Sequence, residues 1–156
     1  MFKAALAALA SIGIGAGAVP AGAQDAQTFI TAAEIQARIA AVEAGGVTPA
    51  AGLVALAPYK ASLEYRTKAM PAALHEDRAE FFVVLEGAGT LVSGGTLVDQ
   101  RRKDAANLSG TAIKDGQARR VAKGDVFIIP EKTPHWFSQI DGKALVLMSM
   151  YVPRAQ

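Results

Sequence analysis

The sequence predicts an all-β domain, a barrel or double-sheet jelly roll with one short α-helix in front of it. From Leu53 onward the apolar residues fall into eight or nine short β-like runs separated by Gly, Pro and charged turns. Ahead of them the apolar spacing is helical over one stretch only. Cysteine is absent, so strand packing has to hold the domain together without disulfides.

The helix carries its own start and stop signals. Thr31 and Glu34 have the spacing of a capping box, in which each side chain accepts a hydrogen bond from the other residue's backbone N–H. Ile35, Ile39 and Val42 follow at helical spacing and Gly45-Gly46 supplies the stop, which predicts a helix over 32–44. Its apolar stripe needs a cover, either the outside of the main sheet or a neighbouring subunit.

Strands are expected over 52–57, 62–68, 80–86, 89–93, 96–100, 118–121, 125–129, 135–140 and 144–152. Closing such a set into a barrel disposes of exposed sheet edges. The segment 101–116 contains Asn107, Ser109, Gly110, Asp115 and Gly116, and reads as a long exposed loop. Too few residues flank it for two separate cores, so residues 24–156 are expected to form one domain.

Residues 1–23 read as a secretory signal peptide. Lys3 gives the positive start, Ala4 to Val19 form an uncharged apolar run, and Ala21-Gly22-Ala23 after Pro20 is a cleavage pattern. The run is too short and too rich in Ala and Gly for a membrane span. The mature protein then starts at Gln24 and is periplasmic or secreted, with no membrane attachment after cleavage. Only Lys3 is lost from the basic residues, so fifteen of them face fourteen acidic ones and the mature formal charge is +1. That balance gives no reason to expect nucleic acid.

His75 and His135 are the chain's two histidines, and each stands on or beside an expected strand. Glu80, Phe82 and Val84 alternate onto one face of their strand, as do His135, Phe137 and Gln139 on theirs. A carboxylate turned inward among Phe and Val carries a heavy desolvation cost unless it is paired or metal-bound. Two imidazoles and one carboxylate are a suitable ligand set for a divalent ion, and the lack of cysteine leaves only nitrogen and oxygen donors.

The spacing of these residues resembles the two motifs of the cupin family over about residues 73–139. In the first motif His75 falls on the second histidine, Glu80 on the glutamate and Gly87 on the closing glycine; Ala73 stands at the first histidine and Thr67 at the leading glycine. In the second, Gly124, Pro130 and His135 match at full spacing, while Lys132 replaces a glycine and Gln139 an asparagine. The resemblance implies a cupin-type double-stranded β-helix. It also implies a metal held by His75, Glu80 and His135, with Ala73 leaving two histidines and one carboxylate and therefore open positions for substrate, water or oxygen. Fe, Mn, Ni and Zn all suit such a set. The alternative is a metal-free cupin in which both histidines are ordinary barrel-mouth residues with protein or water partners.

Weaker candidates surround this core. Asp77 and Glu76 are possible extra ligands or acceptors for an imidazole N–H, with a solvated turn the plainer reading. Gln139 and Phe82, together with Asp77, are candidate substrate contacts. Trp136 should point away from His135 and serve packing. Arg101, Arg102, Lys103, Arg119 and Arg120 form a basic group that either attracts an anionic substrate or is a solvated face.

Two functions are compatible with these residues. The first is an exported metal-dependent enzyme acting on a small oxygenated molecule, with dioxygenase-like oxidoreduction ahead of isomerase or lyase chemistry. No general base stands out; Asp77 and Tyr65 are the nearest candidates. The second is a non-catalytic periplasmic protein that binds a small ligand in the same barrel. A homodimer is expected through the helix or through Leu145, Leu147 and Met148 of the last strand.

Overall fold

The computed structural model describes residues 27–45 and 50–153; the expected signal peptide and the start at Gln24 lie outside them. The order of elements is α1 (Ala32–Glu43), β1 (Ala50–Leu56), β2 (Tyr59–Arg66), β3 (Ala72–His75), β4 (Arg78–Ser93), β5 (Thr96–Val98), β6 (Arg101–Arg102), β7 (Asn107–Gly110), β8 (Ala112–Lys114), β9 (Gln117–Ala122), β10 (Val126–Ile129) and β11 (His135–Pro153).

The capping box forms as read. Thr31 Oγ1 accepts from the Glu34 N–H at 3.1 Å and Glu34 Oε2 accepts from the Thr31 N–H at 2.7 Å. Ile39 and Val42 are buried against Leu53 of β1, Leu63 of β2 and Val146 of β11, with Ile35, Tyr65 and Met148 packed around them. The helix therefore covers the outside of its own sheet.

The two long strands organise the barrel. β4 and β11 pair antiparallel from Arg78↔Pro153 to Ser93↔His135, and each bends between two sheets. The first half of β4 takes β10 on its other side, and its second half takes β9. The second half of β11 takes β2, which carries β1, while its start takes β3, followed by β7 and β6. The result is a jelly roll of two facing sheets that share their central strands, with a small β5–β8 ribbon beside it.

Three strand expectations are corrected. The pairs 80–86 with 89–93 and 135–140 with 144–152 are each one continuous bent strand. Gly87, at φ +76°, and Gly142, at φ +67°, act as bends within them and do not end them. The segment 101–116 is not a long loop, since it contains β6, β7 and β8, and β7 pairs along the whole of the unforeseen β3.

The barrel is filled from one end. Phe82, Val84, Leu91, Val121, Ile129, Phe137, Leu145 and Leu147 form one buried cluster, each removing apolar surface from water at roughly 25 cal/mol per Å². Phe82 stacks on Phe127 at 5.2 Å and meets Phe137 edge-on at 5.5 Å. Leu145 and Leu147 are thus core residues, and Met148 lies under the helix. The apolar stripe of the helix and the side chains of Leu145 and Leu147 are therefore used within the chain itself. At the other end the interior turns polar, with Glu80, His135 and Ser149 buried there.

Candidate metal centre

Three strands deliver the three expected ligands. His75 ends β3, Glu80 lies near the start of β4, and His135 opens β11. Their side chains are 11%, 6% and 6% exposed. Glu80 Oε2 lies 3.2 Å from Nε2 of His75 and 3.2 Å from Nε2 of His135, and the three donor atoms lie within 4.8 Å of one another. Alternation along β4 explains the inward carboxylate: Glu80, Phe82 and Val84 face in together.

The other ring nitrogens fix both tautomers. His75 Nδ1 lies 2.6 Å from Asn107 Oδ1, and His135 Nδ1 lies 3.2 Å from the Thr133 carbonyl. Both partners are acceptors, so each Nδ1 carries the proton and donates it. Each Nε2 then presents a lone pair towards a carboxylate oxygen that is itself an acceptor. Such a convergence of lone pairs is satisfied by a cation, either a proton shared with an imidazole or a metal ion, and the donor set suits a divalent transition metal.

Asn107 is held in turn. Its amide nitrogen donates to both Asp104 oxygens at 2.8 and 2.7 Å, which turns Oδ1 towards His75, and Arg78 Nη2 also donates to that oxygen at 2.8 Å. Burial pushes the His75 pKa down, but the contacts with Glu80 and Asn107 outweigh it and the net direction is upward. Burial pushes the Glu80 carboxyl up, and the two imidazoles override that and hold it at about 2. Glu80 is thus an anion at any working pH.

A cavity of about 590 Å³ opens beside the cluster between β2 and β3; Glu64, Arg66, Ala73, His135, Phe137 and Tyr151 are among its walls. Ala73 pairs directly with His135 across the strands, so its small side chain leaves space next to that imidazole. Tyr151 meets His75 edge-on at 5.0 Å. Burial first, and then the charges of Glu80 and Glu64, push its hydroxyl up to about 12.

No family model and no curated protein matches the sequence. Solved structures do match. A protein from Bacillus halodurans, BH2720, is 18% identical with a TM-score of 0.55, over 82% of this chain and 83% of that one. Hydroquinone 1,2-dioxygenase PnpCD, in complex with Cd2+ and 4-hydroxybenzonitrile, is 12% identical with a TM-score of 0.52, over 72% and 70%. A cupin protein from Bacteroides fragilis is 15% identical with a TM-score of 0.49, over 70% and 82%. The fold is that of the cupins.

Within the cupin barrel the secondary candidates separate. Asp77 is exposed and pairs with Arg78 at 3.0 Å, while Glu76 pairs with Arg102. The acceptor for the His75 N–H is Asn107, from the segment read as a loop. Gln139 leaves the interior, because a bulge between Phe137 and Gln139 shifts the alternation; it is exposed and donates to Asp141 at 3.0 Å. Phe82 is fully buried, 6.4 Å from the His135 ring, and forms the floor under the cluster. Trp136 turns aside and donates to the Met70 carbonyl at 2.7 Å, tying β11 to the cavity rim. Tyr65 donates its hydroxyl to Glu43 of the helix at 3.0 Å. In the basic group Arg102 and Arg120 pair with Glu76 and Asp141, and Arg119 and Arg120 line a separate cavity between β9 and β10.

The motif departures have local reasons. Lys132 adopts φ +59°, the left-handed backbone for which glycine is the usual residue at that motif position. Its N–H donates to the His75 carbonyl at 2.6 Å, which joins the turn of the second motif to the first.

Proposed function

We propose that the protein is an exported, metal-dependent enzyme that acts on a small oxygenated organic molecule by dioxygenase-like oxidation, with isomerase and lyase chemistry the other reactions such a set serves. The observation that carries this reading is the convergence of two Nε2 lone pairs, each fixed by its own Nδ1 donation, on one buried carboxylate oxygen. Likeness of fold to a dioxygenase whose structure contains Cd2+ supports it. A divalent metal bound there supplies Lewis acidity or oxygen activation.

The chain's own residues do the rest. Asn107 and the Thr133 carbonyl keep the imidazoles aimed, and Glu80 supplies the negative charge. Phe82, Phe127 and Phe137 seal the floor against water. Ala73 leaves room for substrate on the cavity side, and Tyr151 stays protonated at neutral pH, a hydrogen-bond donor and not a base.

Metal analysis after mild purification tests the reading. The expected result is about one transition metal per chain, lost together with turnover in Glu80→Ala and His135→Ala. Variants that lose the metal and still bind ligand as the wild type does would replace the enzyme with a non-catalytic binding protein.

A further inference from the structure

The cavity contains a second charged pair that the metal ligands do not need. Along β2, Ser62, Glu64 and Arg66 line the cavity while Leu63 packs towards the helix. The side chains of Arg66 and Glu64 are 21% and 17% exposed. Glu64 Oε2 accepts from Arg66 Nε at 2.9 Å and from Nη2 of the same guanidinium. The guanidinium carbon stands 4.6 Å from the centre of the Phe137 ring.

The geometry points to Arg66 as the carboxylate-binding residue of this cavity, and to a small organic acid with a second oxygen (hydroxyl, keto or enol) as the ligand class. The role of the second oxygen rests on the metal reading above. One carboxylate oxygen of Glu64 takes two of the guanidinium's N–H groups, and an arginine fork carries more than that. The remainder matches a planar carboxylate, which a fork binds through two parallel hydrogen bonds.

The fork is also prepared in advance. Phe137 supports its face and Glu64 its edge, so little side-chain freedom is left to lose on binding. A partly buried Arg–Glu pair is a poor device for stability, since apolar residues of similar size often serve as well. Its place on a cavity wall therefore calls for another role.

Position and charge select the ligand. Phe137, under the guanidinium, and His135 are two residues apart on one face of β11, so their backbone positions are about 7 Å apart along the strand and the fork and the imidazole are neighbours on the cavity wall. Two such neighbouring groups suit an acid whose second oxygen sits one or two carbons from its carboxylate. Lys68 at the rim adds a further positive charge. With a dication at the three ligands the cavity is net positive despite Glu64 and Glu80, which favours an anion.

Lactate and lactamide differ only at the group Arg66 would read. Titrated into Mn(II)-loaded protein, lactate is expected to bind about tenfold tighter or more, the scale of a hydrogen-bonded charge. Arg66→Gln should abolish that preference, and Arg66→Lys, which keeps the charge without the fork, should retain part of it. Mn(II) affinity of each variant should stay near wild type, while the melting temperature of Arg66→Gln should fall, because Glu64 loses its partner, and that of Arg66→Lys should fall less. Equal binding of the two probes by the wild type, failure of lactate to bind at all, or a preference that survives Arg66→Gln overturns the inference. Ligand-observed NMR with metal-free protein separates the two readings. A lactate preference there that disappears in Arg66→Gln supports Arg66 even when Mn(II) does not bind, and in that case it is the metal reading that fails.

Discussion

Asn107 Oδ1 accepts the Nδ1 proton of His75 at 2.6 Å, and Asp104 fixes the amide that provides that oxygen. A metal ligand is therefore oriented from β7 by Asn107, one side chain removed from the ion it would hold, and by Asp104 behind it. Outer partners of this kind typically change metal affinity about ten- to a hundred-fold. Asn107→Ala is expected to weaken Mn(II) or Fe(II) binding within that range while the fold persists, as read by titration and circular dichroism. An unchanged dissociation constant would show that His75 is aimed by some other contact.

Without metal, the cluster gives stability a defined pH profile. Glu80 is held at about 2 against an ordinary 4.5, so its contribution is present above 4.5 and is lost as pH falls towards 2. His75 is raised above its ordinary 6.5, so its contribution is complete below 6.5 and is lost as pH rises through the folded value. Chelated protein should accordingly gain most from the cluster between these two reference values. Melting temperatures measured across pH with a chelator present check this, and His75→Gln should flatten the alkaline decline. A bound metal should reverse the alkaline side, because it competes with protons for the imidazoles and binds tighter as pH rises.

Ala73 faces His135 in register, with His75 two residues further along the same strand. A histidine at 73 would place a third imidazole next to the cluster, since directly opposed side chains stand about 5 Å apart at Cβ. Ala73→His is expected to tighten metal binding and to slow turnover by filling the space left for substrate. Metal titration paired with ligand binding separates the two effects. Unchanged metal affinity would mean that the new ring points into the cavity without reaching the cluster.

The parts of this arrangement that sequence makes visible are local ones. The helix was readable because Thr31, Glu34 and the Ile35–Ile39–Val42 stripe carry its start and its buried face within a few residues. The three ligands were readable because their spacing is fixed by strands and turns. Asn107 was not, because Asn, Ser and Gly resist strand formation in isolation, and β7 exists through its pairing with β3, distant in sequence. The Asp104-x-x-Asn107 spacing was the one available signal. Gln139 misled for a related reason: a bulge breaks the two-residue period without any local mark. Arg66 and Glu64 belong to no motif and carry no local mark of their place; their mutual pairing is what lets two charges turn towards the cavity.

Gly87 and Gly124 are both motif glycines with positive φ, at +76° and +94°, yet their surroundings differ. A Cβ at Gly87 would stand 2.0 Å from the Ala144 carbonyl oxygen, where β4 bends against β11, whereas at Gly124 nothing lies within 4 Å. Gly124→Ala should therefore cost only the backbone conformation, about 1 kcal/mol. Gly87→Ala should add to this the cost of forcing the exposed bend of β4 away from the Ala144 backbone, for about 3 kcal/mol together. Because the bend at Gly87 passes β4 from the sheet that carries Glu80 to the sheet that carries Leu91, the same variant should also weaken metal binding. Denaturant unfolding of the two variants decides the point: equal losses would mean that the close approach of Ala144 relaxes at little cost, and that Gly87 is there for its dihedral angle alone.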